Sequence, residues 1–341
     1  MAFHRPFIFA ALLPASLIAC GSDSGQPVPQ GAHYHYVVNQ INVPTNNTQS
    51  RAYGLDLNGD GTVDNQLGMV LGTLVSTAHF DIQGNINTAV ADGSIILLAD
   101  FQTKDFTNTT AAGISAYLGT NPMPAACNGS ADTTCQHHLT GSASFDLSAN
   151  QPTNAALAGK IVNGTFTGGP GHVSLQIALG GTGGIELDLI GARAKASDIS
   201  DTAIGSTTMP NTATSSSSGG VILAGAVTQD DLNNKIIPAV ASQIAPIVVR
   251  DCCGTGNTAH PTCDPNATPN ACYCADGSTG KTILGLFDTS PKDCAVTTDE
   301  ISSNSLIMSL LAPDVTIEGK MALSLGINVT AVGATFTPPG Q

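Results

Sequence analysis

Five oxygen-bearing residues at regular spacing make the best chemical signal in this chain: Asp56, Asn58, Asp60, Thr62 and Asp64. They fall at positions 1, 3, 5, 7 and 9 of one loop. Side-chain oxygens at four of these and the Thr62 carbonyl can converge on one hard cation, and Gly61 permits the sharp turn between them. Calcium tolerates six to eight oxygens and fits such a set better than magnesium. The competing reading is an Asx/Gly turn that binds nothing. A second, degraded version lies at Asp288, Ser290, Asp293 and Glu300, with one residue inserted and Val296 at the usual apolar position. Apolar residues on both sides (283–287 and 301–311) predict helix–loop–helix. Pro291 disturbs this loop, and Cys294 stands where the turn glycine belongs. Thr297 and Glu300 also read as a capping box, which accounts for the glutamate without metal.

The first loop is similar to those of EF-hands and dockerins and to the shorter calcium loops of integrin-type repeats. Its position 12 is Leu67 rather than glutamate, so the likeness ends at Asp64 and implies a short-loop geometry or a ligand from elsewhere. Extracellular calcium modules bind at roughly 10⁻⁴ to 10⁻³ M, so calcium here is expected to be structural rather than signalling.

Other candidates are weaker. His33 and His35 share a face if their segment is a strand, and two such imidazoles can share zinc or copper; adjacent His137 and His138 follow Cys135. Glu186 and Asp188 alternate with apolar neighbours, so both carboxylates should leave one sheet face. That suits a glycosidase pair, or simply an exposed polar face. No G-x-S-x-G, H-E-x-x-H or P-loop pattern is present.

Leu17-Ile18-Ala19-Cys20 closes a short apolar N-terminal run and resembles the lipobox of a bacterial lipoprotein signal peptide. That resemblance implies export, a signal over 1–19, acylation of Cys20 and an outer-membrane location, since no aspartate follows the cysteine. An ordinary secretory signal is the alternative. Of nine cysteines, those beyond Cys20 read as disulfides in an exported chain. Cys127 and Cys135 most simply pair with each other. Cys252, Cys253, Cys263, Cys272, Cys274 and Cys294 leave fifteen pairings open, and their spacing matches no common zinc pattern. A net charge of −14 argues against nucleic acid and anionic lipid surfaces as partners.

The elements that must position these groups are mostly strands. Residues 20–32 are a Gly/Ser/Pro-rich tether. The β-rich domain spans 33–341, with strands expected at 33–43, 94–102, 114–118, 139–147, 158–166, 172–179, 185–194, 221–227 and across 315–336. Gly168–Gly171 and Gly180–Gly184 fit hairpin turns, and Ser215–Ser218 reads as a mobile loop. Short helices are expected at 67–75 and 82–91. A longer helix starts at a Thr228 cap, carries the stripe Leu232, Ile236, Val240, Ile244 and Val248, and is broken or kinked by Pro238 and Pro246. The expected fold is mainly β (α+β), a two-layer sandwich of jelly-roll type with a disulfide-stapled helical insertion at 228–313. The lipobox, the first acidic loop followed by Asp64-Asn65 and Leu67-Gly68, and Phe287-Asp288-Thr289 together resemble uncharacterised lipoproteins of myxobacteria and related bacteria, a family with no established activity to carry over. The expected role is a lipid-anchored, calcium-stabilised surface protein of structural or adhesive type with an envelope or cell-surface partner. The alternatives are a ligand-binding module or a secreted hydrolase.

Overall fold

The computed structural model describes residues 27–78, 81–149, 151, 155–177, 185–205, 219–253, 272–289 and 292–339. Eight strands pair in chain order: β1 (Ala32–Asn42), β2 (Leu97–Thr103), β3 (Thr109–Met123), β4 (Ala156–Val162), β5 (Thr165–Ile177), β6 (Ile185–Ser197), β7 (Gly220–Thr228) and β8 (Lys320–Thr335). Each is antiparallel to the next, and β8 returns to β1 with Val37 opposite Val332 and Ile41 opposite Val329. The sheet is a closed up-and-down barrel, so the jelly-roll sandwich expectation is overturned. Alternating strands are equally compatible with either architecture; the β1–β8 and β3–β4 pairings decide between them.

The alternation follows the closure. Val38, Ala99, Ile114, Leu157, Phe166, Leu189, Ala194, Val221, Leu325 and Ile327 fill the interior. Tyr34, Phe101, Phe106 and Phe166 form an aromatic group, with Phe101 and Phe166 edge-on at 5.1 Å. Tyr36 donates its hydroxyl to the Ser200 carbonyl at 2.6 Å, tying the β6–β7 connection to β1. What remains of the lumen is an apolar cavity of about 80 Å³.

Antiparallel order sends the connections after β1, β3, β5 and β7 to one end of the barrel, where the long excursions 43–96, 124–155 and 229–319 lie. The first carries α1 (Asn47–Tyr53), α2 (Gln66–Ala78) and α3 (Ile82–Ala91). Helix α2 packs on β8 and α3 on β1. The last carries α4 (Ile237–Asp251), α5 (Thr279–Phe287), α6 (Thr298–Ser303) and α7 (Ser305–Leu310). Thr228 caps this excursion by accepting from the Asp231 amide. A π-turn at Leu232–Ile236 precedes α4, and Pro246 is accommodated inside it. Cys127–Cys135, Cys252–Cys274 and Cys272–Cys294 are disulfides. Cys263 and the side chain of Cys253 lie outside the described residues.

Three local expectations are also corrected. The continuous strand expected over 158–166 is a hairpin: Asn163 and Gly164 take φ of 50° and 76° between β4 and β5, as a two-residue Asn-Gly turn requires. Gly168–Gly171, read as a turn, instead lies within β5 at a break in its register with β6. The expected strand over 139–147 is shorter, Ala143–Leu147, preceded by a helical turn at His137–Leu139. The Gly180–Gly184 turn and the Ser215–Ser218 loop fall outside the described residues.

His138 is fully buried beside Phe145, and neither ring nitrogen has a hydrogen-bond partner. Burial lowers its pKa below the ordinary 6.5, so it folds neutral while the unfolded chain takes up a proton. Its contribution is present above pH 6.5 and is lost as pH falls from there through the lower folded value. Thermal unfolding between pH 7 and pH 5 should show falling stability, with a shallower slope in His138→Gln; an unchanged slope would contradict this account.

Candidate metal centres

Helix α5 begins at its Ser278 cap and buries Ile283, Leu284 and Phe287; α6 begins at Thr297, whose side chain and Glu300 complete a capping box. In the link between them Cys294 is buried, bonded to Cys272, and held at φ 67°. That is the left-handed conformation expected of a turn glycine. One consequence is that Asp288, Asp293 and Glu300 each bring a carboxylate oxygen within 4.8 Å of the others. Ser290 of the same expected set lies outside the described residues.

Two of the three carboxylates are buried: Asp288 and Glu300 are each 7% exposed. Glu300 accepts from the Thr289 amide at 3.3 Å, the Thr297 amide at 2.9 Å and the Thr297 hydroxyl at 3.0 Å. Asp293 accepts from the Ala295 amide. Asp288 accepts from the Cys294 amide through Oδ2 at 3.2 Å, but its Oδ1 is buried with no hydrogen-bond partner. Among the described residues no lysine or arginine forms an ion pair with any of the three. Burial pushes the Asp288 pKa up, and the Glu300 and Asp293 charges push it further, against hydrogen bonds from the Cys294 and Asp293 amides. An orphaned oxygen beside two like charges is costly in low dielectric. A metal ion held here would supply the missing positive charge, and the cluster could hold one.

The first acidic loop is built differently. It is closed by the bridge between Leu55 and Asp64 and pinned to the barrel by Leu57. That side chain is buried with Ile190, Ala224, Ala226, Val315, Ile317 and Ala322 on the outer wall. Asn65 fastens the next residue, exchanging hydrogen bonds with both the amide and the carbonyl of Gly326. Asp56 accepts from the Gly59 and Gly61 amides at 2.6 and 3.0 Å, Asn58 from Asp60, and Asp60 from Thr62. Gly61 takes φ 86°. These turns curl the backbone around the side-chain oxygens. Asp56, Asp60 and Asp64 do not gather within 4.8 Å as the second set does. Asp64 is buried, accepts from the Leu57 amide at 2.7 Å and has its pKa raised, chiefly by burial. Hydrogen bonds from Thr62 lower that of exposed Asp60.

The remaining sequence candidates are placed apart. His33 Nδ1 lies 2.8 Å from Asp100 Oδ2, and His35 Nε2 lies 3.7 Å from Oδ1 of the same carboxylate. Asp100 is the cross-strand partner of His35, a neighbour the sequence reading missed because β2 is remote in the chain. His137 pairs with Asp132 at 2.8 Å, while His138 turns into the core. Glu186 and Asp188 both face outward on β6; Asp188 accepts from the Ser174 hydroxyl of β5. Cys20 lies outside the described residues.

By fold, then, this is an eight-stranded antiparallel barrel with helical excursions and a buried acidic cluster. Comparison of the chain with protein-family models, curated proteins and solved structures finds no match.

Removing the Asp288 charge should relieve the metal-free protein. Asp288→Asn keeps an acceptor for the Cys294 amide and gives its neighbours a donor, so in chelator its melting temperature should rise by roughly 2–4 °C. For the native group, whose folded pKa is raised, stability should fall as pH rises from 3.8 through the folded value. A drop in melting temperature for Asp288→Asn in chelator would refute this assignment.

Proposed function

We propose that the chain is an exported, lipid-anchored envelope protein of structural or adhesive kind, stabilised by calcium. The observation that carries the metal reading is the unpartnered, buried Asp288 Oδ1 among three converging carboxylates. An all-oxygen, anionic set favours a hard divalent ion, and the uneven spacing of these ligands suits calcium more than magnesium. In this reading Asp288, Asp293 and Glu300 hold one ion between α5 and α6. Asp56, Asn58, Asp60, Thr62 and Asp64 hold a second in the loop that Leu57 anchors to the wall.

The barrel supports a scaffold role. Its lumen is filled by side chains, and a space of about 80 Å³ is far below the 300–1,000 Å³ of ordinary ligand pockets. The outer wall of β4–β6 carries Lys160, Thr167, Glu186, Asp188 and Lys195. Across this part of the wall, apolar inside and polar outside is the reverse of a membrane-spanning barrel. Membrane attachment is therefore assigned to acylated Cys20 and the tether that precedes β1, with partners met at the outer surface. The helical excursion, which buries Ile244, Val248, Ile283 and Phe287, would be held further by its two described disulfides, each worth on the order of 3 kcal/mol, together with the ion.

The test is thermal unfolding of the oxidised protein in calcium and in chelator, with Asp60→Ala, Asp288→Asn and the double variant. Calcium should raise the wild-type melting temperature, each single variant should lose part of the rise, and the double variant should lose all of it. Identical melting in calcium and chelator would sink the calcium reading. Separately, Cys20→Ser should move the protein from the membrane fraction to the soluble fraction; retention of the variant would sink the anchor.

A further inference from the structure

A groove of about 540 Å³ runs across the outer wall of β4–β6, between the acidic loop at Asp56 and the incoming chain at Pro27. Lys160, Arg193 and Lys195 all line it. Gathering three cations there is notable in a chain with only 11 lysines and arginines and a net charge of −14.

Register explains the gathering. Lys160 on β4 lies opposite Thr167 on β5, and Thr167 lies opposite Lys195 on β6. With strands about 4.8 Å apart, the lysine backbones are separated by roughly 10 Å, with the threonine hydroxyl between them. Arg193 stands two residues before Lys195 on the same outward face. Among the described residues, none of the three cations is in an ion pair. Asp56, at the rim, spends both oxygens on the Gly59 and Gly61 amides. The Arg193 guanidinium reaches the Leu57 carbonyl at 3.5 Å through Nη2, while its Nε is buried and has no partner. Three cations converge here against a single carboxylate, Asp56 at the rim, in a concave site of the size that small ligands occupy.

We propose that this groove is a binding site for a small soluble polyanion, carrying two or more carboxylate or phosphate groups, held by Lys160, Lys195 and Arg193. The two lysines engage separate acidic groups across Thr167, and Arg193 contributes a planar donor edge. The local positive surface offsets the repulsion that the acidic molecule exerts on anions at longer range. Nothing in this assignment depends on metal at either acidic loop.

Calorimetric titration with citrate and with inorganic phosphate, at constant ionic strength, tests it. The proteins are wild type, the double variant Lys160→Gln/Lys195→Gln and the control Lys320→Gln. Both lysines of the pair are exposed, so folding should survive, and circular dichroism checks that it does. Saturable binding at one site is expected, about tenfold or more weaker in the double variant and unchanged in the control. Absence of saturable binding for both probes, or equal affinity in all three proteins, overturns the proposal. Binding to phosphatidylserine vesicles that free citrate and phosphate do not displace would also overturn it, in favour of a lipid headgroup.

Discussion

Strand β8 is the constraint on which the rest of the molecule depends. It pairs with β1 and β7 to close the ring, and also with the short strands Val315–Ile317, Ala203–Ile204 and Ala143–Leu147. Its inward residues Leu323, Leu325 and Ile327 fill the lumen, while Ser324 and Gly326 on the outer side receive the first acidic excursion through Gln66 and Asn65. A Cβ at Gly326 would meet the Tyr53 carbonyl at 2.2 Å, so the excursion sits against bare backbone there. One strand thereby closes the barrel and seats the loop that carries Asp56–Asp64.

Charge is distributed unevenly on this frame. The barrel interior is apolar, so carboxylates accumulate in the connections, where backbone amides can meet them. The first loop satisfies its oxygens largely by its own turns and leaves most of them at the surface. The second buries Asp288 and Glu300 beneath a disulfide, where hydrogen bonding falls one oxygen short. The sequence pattern ranks the first loop higher because its spacing is regular. Burial makes the second the more demanding site, because desolvation raises the cost of each unpaired charge.

Local signals were legible wherever they were local in cause. Thr228 caps the long helical excursion, helix α3 occupies the 82–91 segment its four-residue apolar steps mark, and Thr297 with Glu300 forms the capping box. The capping box and the acidic cluster, treated as rivals in the sequence, are one arrangement, since Glu300 serves both. Asn163-Gly164 is a hairpin signal set inside a run, 158–166, whose alternation otherwise reads as one strand. The His33–Asp100 contact and the Lys160–Thr167–Lys195 row could not be read, because register between strands is absent from any single segment.

The sequence by itself determined that the chain is strand-rich, where several of its helices lie, that Cys127 pairs with Cys135, and which residue types gather in acidic loops. These follow from periodicity, caps and spacing within short windows. Only the tertiary structure decided that the strands close into a barrel, that Asp288 is buried with an unpaired oxygen, and that three cations share one groove. Period-two alternation is the same in a sandwich and a barrel. What separates them is hydrogen bonding between β1 and β8, nearly the full chain apart, and contacts at that separation leave no mark on local pattern.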